Sequence, residues 1–229
     1  MVTITQLSEN SLIILFEQRI QPGIINRVRQ AAATIENHFS DCIIDIIPAY
    51  ASIHITFNIL KLSGEELIEQ LQRSLIDTPP RQQRKIASKL IVIPVYYGLD
   101  VGWDLTQVAQ HNQLSIDQVV QRHSQTVYRV YAVGFAPGFA YLGVVDQTIA
   151  CPRKLTPRVK VPQGSVAIAE QQTAVYPAES PGGWQIIGRT PMSMIDYSLN
   201  DLTPFAVGDQ VKFDPITKTD YLDLGGEIQ

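Results

Sequence analysis

The stretch VYRVYAVGF, residues 127–135, marks the point at which the sequence changes from a helical to an extended pattern. Its run of valine and tyrosine is typical of a β-strand. Almost everything after it consists of short apolar runs separated by glycine and proline, the pattern of strands joined by turns. We therefore expect this half of the chain to be a mainly β barrel or sandwich with short helices.

Two helix starts precede this strand. Asp104 with Gln107, and Ser115 with Gln118, have the spacing of a capping box. Apolar residues follow each of them at helical spacing. His123 falls at the end of the second predicted helix, where the helix dipole favours a positive charge.

The first third of the chain predicts a smaller unit. Its apolar pattern gives the order strand, helix, strand, strand, helix, strand, with the strands at 11–16, 42–48, 53–57 and 89–96. This is the split β-α-β order of ferredoxin-like domains. The polar segment 77–88 reads as a linker, so the strand at 89–96 belongs either to this unit or to the next. We predict an α+β protein with a small ferredoxin-like α/β domain at 1–84 and a β-barrel domain at 85–229.

Composition excludes several classes of protein. Hydrophobic residues make up 45% and charged residues 17% of the chain, which suits a packed core. The formal net charge of -4 is unfavourable for general nucleic-acid binding. No signal peptide and no apolar run of about 20 residues is found in the sequence, so we expect a cytoplasmic protein that does not bind membranes.

No metal site is expected. Cys42 and Cys151 lie far apart and are predicted to be reduced thiols. His38 and His54 are predicted to be solvated side chains, because a metal needs several converging ligands.

Glycine and proline are concentrated in one part of the chain. Seven of the 14 glycines and seven of the 14 prolines lie between residues 134 and 191. Such residues build stiff, irregular loops, and loops of this kind often carry binding sites. The alternative is that they form only the tight corners of a barrel.

Positive charge falls within the same region. Four basic residues occupy eight positions, namely Arg153, Lys154, Arg158 and Lys160, and no acidic residue occurs between Asp146 and Glu170. Arginines on a rigid backbone suit carboxylate or phosphate recognition. Arg189 is a second candidate for anion contact, and a solvated basic loop is the alternative. P-loop, G-x-G-x-x-G and G-x-S-x-G motifs are all missing from the sequence.

Five segments together resemble one known family: IIPAYASIHITF (46–57), GFAPGFAYLG (134–143), PRKLTPRVKVPQGSVAIA (152–169), YPAESPGGWQIIGRTP (176–191) and VGDQVKF (207–213). It is the family of the 5-oxoprolinase B subunit, whose members are also labelled allophanate hydrolase subunit 1, carboxyltransferase domain subdomains C and D, or Kip-type inhibitor of a sporulation histidine kinase. The resemblance implies a cyclophilin-like β-barrel for the second domain. One departure is Trp103, where related chains usually carry a proline.

The resemblance also implies partners and a reaction. Together with the C and A subunits of 5-oxoprolinase, such a chain would use ATP, with magnesium, to open the lactam of 5-oxoproline and give glutamate. Two other functions remain open at this point. The chain could instead be a non-enzymatic inhibitor that binds a histidine kinase, or a subunit of an allophanate or urea-metabolising system.

The candidate site residues follow from these segments. His123, Glu179 and Arg158 are the expected catalytic groups, with His123 titrating near neutrality. Arg153 and Arg189 would hold phosphate or a substrate carboxylate. Hydrogen bonds would come from Ser165 and Tyr176, and the pocket would be shaped by the backbone of Gly134, Gly138, Gly182 and Gly183.

Overall fold

The computed structural model describes residues 2–18, 21–76, 88–198 and 202–228. The chain divides into two compact units, Met1–Ala87 and Ser88–Gln229. The predicted domain boundary, between residues 84 and 85, lies outside the described residues.

The first unit is a four-stranded antiparallel sheet with two helices. In the described residues its elements are β1 (Thr3–Ser8), β2 (Ser11–Leu15), α1 (Pro22–Phe39), β3 (Ile43–Ala49), β4 (Ser52–Phe57) and α2 (Gly64–Ile76). The strand order is β1-β2-β4-β3. On β4, Ile53 and Ile55 are fully buried and alternate with His54, which confirms the predicted one-sided strand.

Two features of this unit differ from the expected order of elements. The strand β1 was not predicted, because TITQLS has little apolar pattern and is mostly exposed. It pairs with β2 and occupies one edge of the sheet. The strand predicted at 89–96 lies in the second unit, which is one of the two placements that the sequence left open. The observed order is therefore strand, strand, helix, strand, strand, helix, and the ferredoxin-like description stays a prediction.

The second unit is mainly β. Its elements are β5 (Leu90–Val95), α3 (Leu105–His111), α4 (Ile116–Gln125), β6 (Val127–Val133), β7 (Ala140–Gly143), β8 (Arg158–Val161), β9 (Ser165–Ala169), β10 (Gln172–Val175), β11 (Ser180–Gly182), β12 (Gln185–Arg189), β13 (Gln210–Pro215) and α5 (Lys218–Asp223). A 3₁₀ turn spans Gln147–Ile149. The predicted strand at 127–135 and the two helices before it are present.

Seven of these strands form a closed ring. Hydrogen bonding gives the order β5-β13-β6-β7-β10-β9-β12, with β5 and β13 parallel and the other pairs antiparallel. Backbone bonds of 2.9 Å in both directions between Tyr96, just after β5, and Arg189, at the end of β12, join the two ends. The expectation that this half of the chain is mainly β with short helices is confirmed, and its cyclophilin-like description stays a prediction. The strands β8 and β11 pair separately.

Two neighbouring strands of the ring, β9 and β12, are buried on both faces. Every residue of β9 and of β12 is buried. One apolar cluster includes Tyr128, Ile168 and Phe213, and a second includes Tyr176 and Trp184. The second cluster also includes Val161, which lies within the segment 152–162.

The two helix starts behave differently. Ser115 and Gln118 form the predicted capping box at α4. Asp104 precedes α3 but its side chain makes no capping hydrogen bond. Its carboxylate accepts hydrogen bonds from Arg158 and Lys154 instead. None of the described helices is long and apolar enough to cross a lipid bilayer.

Candidate functional site

A buried carboxylate anchors residues 153–160, which we call the basic segment. Asp104 is 2% exposed, and Arg158 donates to both of its oxygens, from Nη1 to Oδ2 at 2.8 Å and from Nη2 to Oδ1 at 2.7 Å. Lys154 Nζ donates to Oδ1 at 3.0 Å, and the backbone N–H of Ile186 donates to Oδ2 at 2.8 Å. A bidentate arginine pair is both strong and directional. Asp104 therefore fixes the segment against β12.

The same contacts set the charge of Asp104. Burial alone raises the pKa of this carboxyl, but hydrogen bonds from Arg158, Ile186 and Lys154 outweigh burial, and the pKa is lowered from its usual value of 3.8. Asp104 is consequently an anion at neutral pH and is unsuited to act there as a general acid.

Two tryptophans support the arginines. The guanidinium carbon of Arg158 lies 5.5 Å from the centre of the Trp103 ring, and that of Arg153 lies 5.5 Å from the centre of the Trp184 ring. These are cation–π distances. Trp103, the departure from the family pattern, thus packs on the same arginine that Asp104 holds.

One cavity lies between α3 and the segment 151–156, and we call it the α3 cavity. Its volume is about 750 Å³. It is lined by Gln107, Gln110, His111, Cys151, Pro152, Arg153, Lys154, Leu155, Thr156 and Gln185. Burial raises the pKa of the Cys151 thiol, so this side chain is not a ready nucleophile. The predicted anion-binding residue Arg153 lies at this cavity.

A second cavity, the Arg189 cavity, brings two predicted residues together. It has a volume of about 330 Å³, and both Glu179 and Arg189 line it. Arg189 is 6% exposed and donates to the backbone oxygens of Gln163 and Glu227, both at 2.9 Å. Glu179 pairs with Lys160 at 3.0 Å on the surface. Part of the hydrogen-bonding capacity of Arg189 is thus used by the protein itself.

The predicted glycines fall into two groups. Gly134 and Gly138 line a third cavity of about 400 Å³ with Phe135 and Leu202. Gly182 and Gly183 lie beside the basic segment, where the Gly183 carbonyl accepts a 2.7 Å bond from the Lys154 backbone. A side chain at Gly182 would collide with the Tyr176 ring, 2.3 Å from its hydroxyl oxygen.

Ser165 and Tyr176 are buried. Ser165 is 1% exposed on β9, and its carbonyl accepts a bond from the Tyr176 backbone at 2.9 Å. Tyr176 is 2% exposed and packs with Phe139 and Trp184. Burial raises the pKa of its hydroxyl. Neither Ser165 nor Tyr176 lines any of the three cavities described above.

His123 lies in the core and not at a surface site. It is fully buried and stacks on Phe213 with ring centres 4.6 Å apart. Its Nε2 lies 2.9 Å from Thr173 Oγ1, and its Nδ1 lies 2.8 Å from Tyr97 Oη. The expectation that it titrates near neutrality was wrong, because burial lowers its pKa to about 3.

These bonds also define the tautomer of His123. Thr173 Oγ1 uses its own proton on the Ala167 carbonyl, 3.0 Å away, so it must accept from Nε2–H. Nδ1 then accepts from the Tyr97 hydroxyl. Both nitrogens are engaged, and we assign His123 a structural role.

The predicted residues thus do not form one pocket. Arg153 lines the α3 cavity, Glu179 and Arg189 share another, and Arg158 is an ion-pair partner. Sequence reasoning missed Asp104 as the anchor and Gln185 as a cavity residue. No local motif marks either role, because the contacts join residues 33 to 82 positions apart. Within the described residues, no group of three or more histidine, cysteine or acidic side chains could hold a metal.

The mixed α/β fold with its large antiparallel sheet is shared with known proteins. The chain belongs to the family described as carboxyltransferase domain, subdomain C and D, whose sequence model matches residues 2–205. It is 36% identical over 228 residues to the 5-oxoprolinase B subunit of Bacillus subtilis, covering 95% of this chain and 94% of that protein. It is 39% identical over 173 residues to the 5-oxoprolinase B subunit of Escherichia coli O157:H7, covering 76% and 78%.

Solved structures share the fold of this chain. The crystal structure of TTHA0988 matches with a TM-score of 0.79 and 31% identity over 91% of this chain, which spans 40% of that longer chain. A conserved uncharacterized protein from Pyrococcus horikoshii matches with a TM-score of 0.57 and 42% identity, covering 96% of this chain and 100% of that one. The Kluyveromyces lactis urea carboxylase shares the fold with a TM-score of 0.77 at 19% identity, over 97% of this chain and 22% of that chain.

Proposed function

We propose that this chain is the B subunit of a 5-oxoprolinase that opens the lactam of 5-oxoproline to glutamate. The observation that carries the proposal is the similarity to proteins named as the B subunit of 5-oxoprolinase, which for one of them extends over 95% of this chain. The similarity to urea amidolyase of Saccharomyces cerevisiae is lower, at 24% identity over 12% of that protein. A role in urea metabolism is therefore the weaker candidate.

The chain would act with the C and A subunits as partners. The lactam is a resonance-stabilised amide, so coupling its opening to ATP hydrolysis is chemically reasonable. In the cytoplasm the chain would have access to both ATP and 5-oxoproline. In this proposal the cyclophilin-like barrel supplies a rigid frame, and the basic segment supplies positive charge.

ATP is proposed as a co-substrate of the assembled complex. Arg153 and Lys154 at the α3 cavity suit a phosphate or a carboxylate, since both are cationic donors. Magnesium prefers carboxylate and phosphate oxygens. The described residues offer no cluster of acidic groups for it, so it would arrive with the nucleotide or be held by a partner protein.

The test is 5-oxoproline-dependent ATP hydrolysis by the purified A and C subunits, with and without this chain. We expect turnover only when this chain is added. Arg153→Ala should lower the rate, and Lys212→Ala, an exposed lysine on β13, is the matched control. If three folded and associated subunits left ATP untouched, the proposal would be overturned, and binding to a histidine kinase domain would be tested next.

A further inference from the structure

Gln185 at the α3 cavity carries a buried acceptor without a partner. Gln185 is 3% exposed and lines the cavity. Its Nε2 donates to the Pro152 carbonyl at 2.8 Å, and this bond fixes which end of the amide is the oxygen. Its Oε1 is buried and finds no hydrogen-bond partner among the residues that the structure describes. Buried polar atoms nearly always have a hydrogen-bond partner, so we expect a bound ligand to donate a hydrogen bond to this oxygen.

Positive charge lies at the same cavity. The ammonium of Lys154 is already paired with Asp104 at 3.0 Å. Within the described part of the chain, no carboxylate pairs with Arg153, whose guanidinium is supported by the Trp184 ring. Arg153 is therefore the cation that remains for an external anion.

We propose that the α3 cavity is the binding site for a lactam carboxylate, with the ring N–H donating to Gln185 Oε1 and the carboxylate pairing with Arg153. An acceptor and a cation together select a small anion that also carries an N–H donor. A carboxylate beside a cyclic amide has both groups. The cavity volume of about 750 Å³ falls within the range of small-molecule sites. The substrate, 5-oxoproline, rests on the proposed function.

Ligand analogues test this without altering the protein. The probes are 5-oxoproline, the γ-lactone carboxylate in which oxygen replaces the ring N–H, and 2-pyrrolidinone, which lacks the carboxylate. Binding to the full isotope-labelled chain is followed by NMR, with the Gln185 side-chain amide as reporter. We expect 5-oxoproline to shift this signal and each analogue to bind at least about tenfold more weakly, because each leaves one buried or charged group unpaired.

Two variants separate the site from general charge effects. Arg153→Ala should weaken 5-oxoproline about tenfold or more while leaving the weak affinity for 2-pyrrolidinone unchanged. Lys160→Ala removes the same charge from the same segment, but Lys160 is 74% exposed and lies outside the α3 cavity. It should bind 5-oxoproline like the unaltered chain.

The outcomes distinguish this site from the proposed function. If the lactone binds as well as 5-oxoproline, if Arg153→Ala binds normally, or if nothing binds, the site assignment is overturned, even where the assembled complex hydrolyses ATP. If the complex is inactive but the chain shows this selectivity, the α3 cavity is confirmed as a site for lactam carboxylates as a class. The proposed 5-oxoprolinase function is then wrong.

Discussion

Arg158 and Asp104 are joined by two parallel hydrogen bonds of 2.8 and 2.7 Å, although 54 positions separate them in the chain. The carboxylate side chain is 3% exposed and the arginine side chain 23%. The pair ties the start of β8 to the residue before α3, and the Ile186 N–H extends the connection to β12. The shape of the α3 cavity therefore depends on one buried carboxylate.

Asp104→Asn should destabilise the second unit by about 3 kcal/mol, because removal of one partner leaves Arg158 and Lys154 without their counter-charge. Urea unfolding followed by circular dichroism measures the loss. Lys160→Gln is the control, since its pair with Glu179 is exposed and should contribute less than about 1 kcal/mol. Equal effects of the two substitutions would contradict the anchoring role.

The contribution of Asp104 should also depend on pH. Its pKa is lower in the folded than in the unfolded chain, where the usual value is 3.8. The stabilisation is therefore fully present above that value and is lost as the pH falls through the folded pKa. The difference in unfolding free energy between the native chain and Asp104→Asn should shrink below about pH 4. A difference that stayed constant in acid would argue against an ionised Asp104.

Burial of His123 predicts a second loss of stability on acidification, which begins at a higher pH than the loss due to Asp104. Its folded pKa is about 3, against an ordinary value of 6.5, so only the unfolded chain takes up a proton between them. Stability should then fall by about 1.4 kcal/mol per unit as the pH drops below about 6.5. Tyr97 and Tyr128 pack against the ring, and burial raises the pKa of both hydroxyls, so neither titrates in this window.

His123→Gln tests this assignment, because the amide can still bond to Thr173 and Tyr97 but cannot take up a proton. The variant should be less stable than the native chain at neutral pH and should lose less stability on acidification. Urea unfolding midpoints between about pH 5 and 7 give the slope of stability against pH for the native chain and for the variant. Parallel slopes would show that His123 is not the group that titrates.

The contrast between His123 and Ser115 shows what the sequence can predict. The capping box of Ser115 and Gln118 is a contact across three residues, and it forms as expected. His123 stands at the end of the same helix, where a catalytic group that titrates near neutrality was expected. Its burial depends on Phe213 and Thr173, which local patterns cannot place. The same limit explains Asp104, whose spacing fits a helix cap but whose carboxylate binds Arg158.

The strands show a similar division. Apolar strands such as β4 and β6 were predicted from their residue pattern, and the family was predicted from motifs spread along the chain. The strand β1 was missed because four of the six residues in TITQLS are polar and it is stabilised by pairing with β2. Pairing of β5 with β13, about 120 residues later, joins β5 to the second unit. Local periodicity of the sequence cannot predict long-range pairing of this kind.

Trp103 should contribute modestly to the basic segment. Trp103→Ala removes the ring that packs on Arg158, and the expected cost is about 0.5–1 kcal/mol because Trp103 is 42% exposed. Trp103→Pro, which restores the common family residue, should cost a similar amount because it removes the same ring. The chain has two tryptophans, so the remaining fluorescence of either variant reports on Trp184, which is 5% exposed. A red-shifted Trp184 emission would mean that the substitution opens the second apolar cluster.

Gly164 should be harder to replace than Gly225, although both line the Arg189 cavity. Its φ of +77° is a conformation that favours glycine, and a Cβ there would lie 2.3 Å from the Thr190 carbonyl oxygen. Gly225 lines the same cavity with a φ of +86°, but nothing lies within 4 Å of its Cβ position. Gly225→Ala should therefore cost about 1 kcal/mol from backbone strain alone. Gly164→Ala should cost at least about 1 kcal/mol more, since the Thr190 backbone must move as well. Thermal unfolding of the two variants isolates the cost of that clash. Equal losses of stability would show that the Thr190 backbone moves away from Gly164 at no cost in free energy.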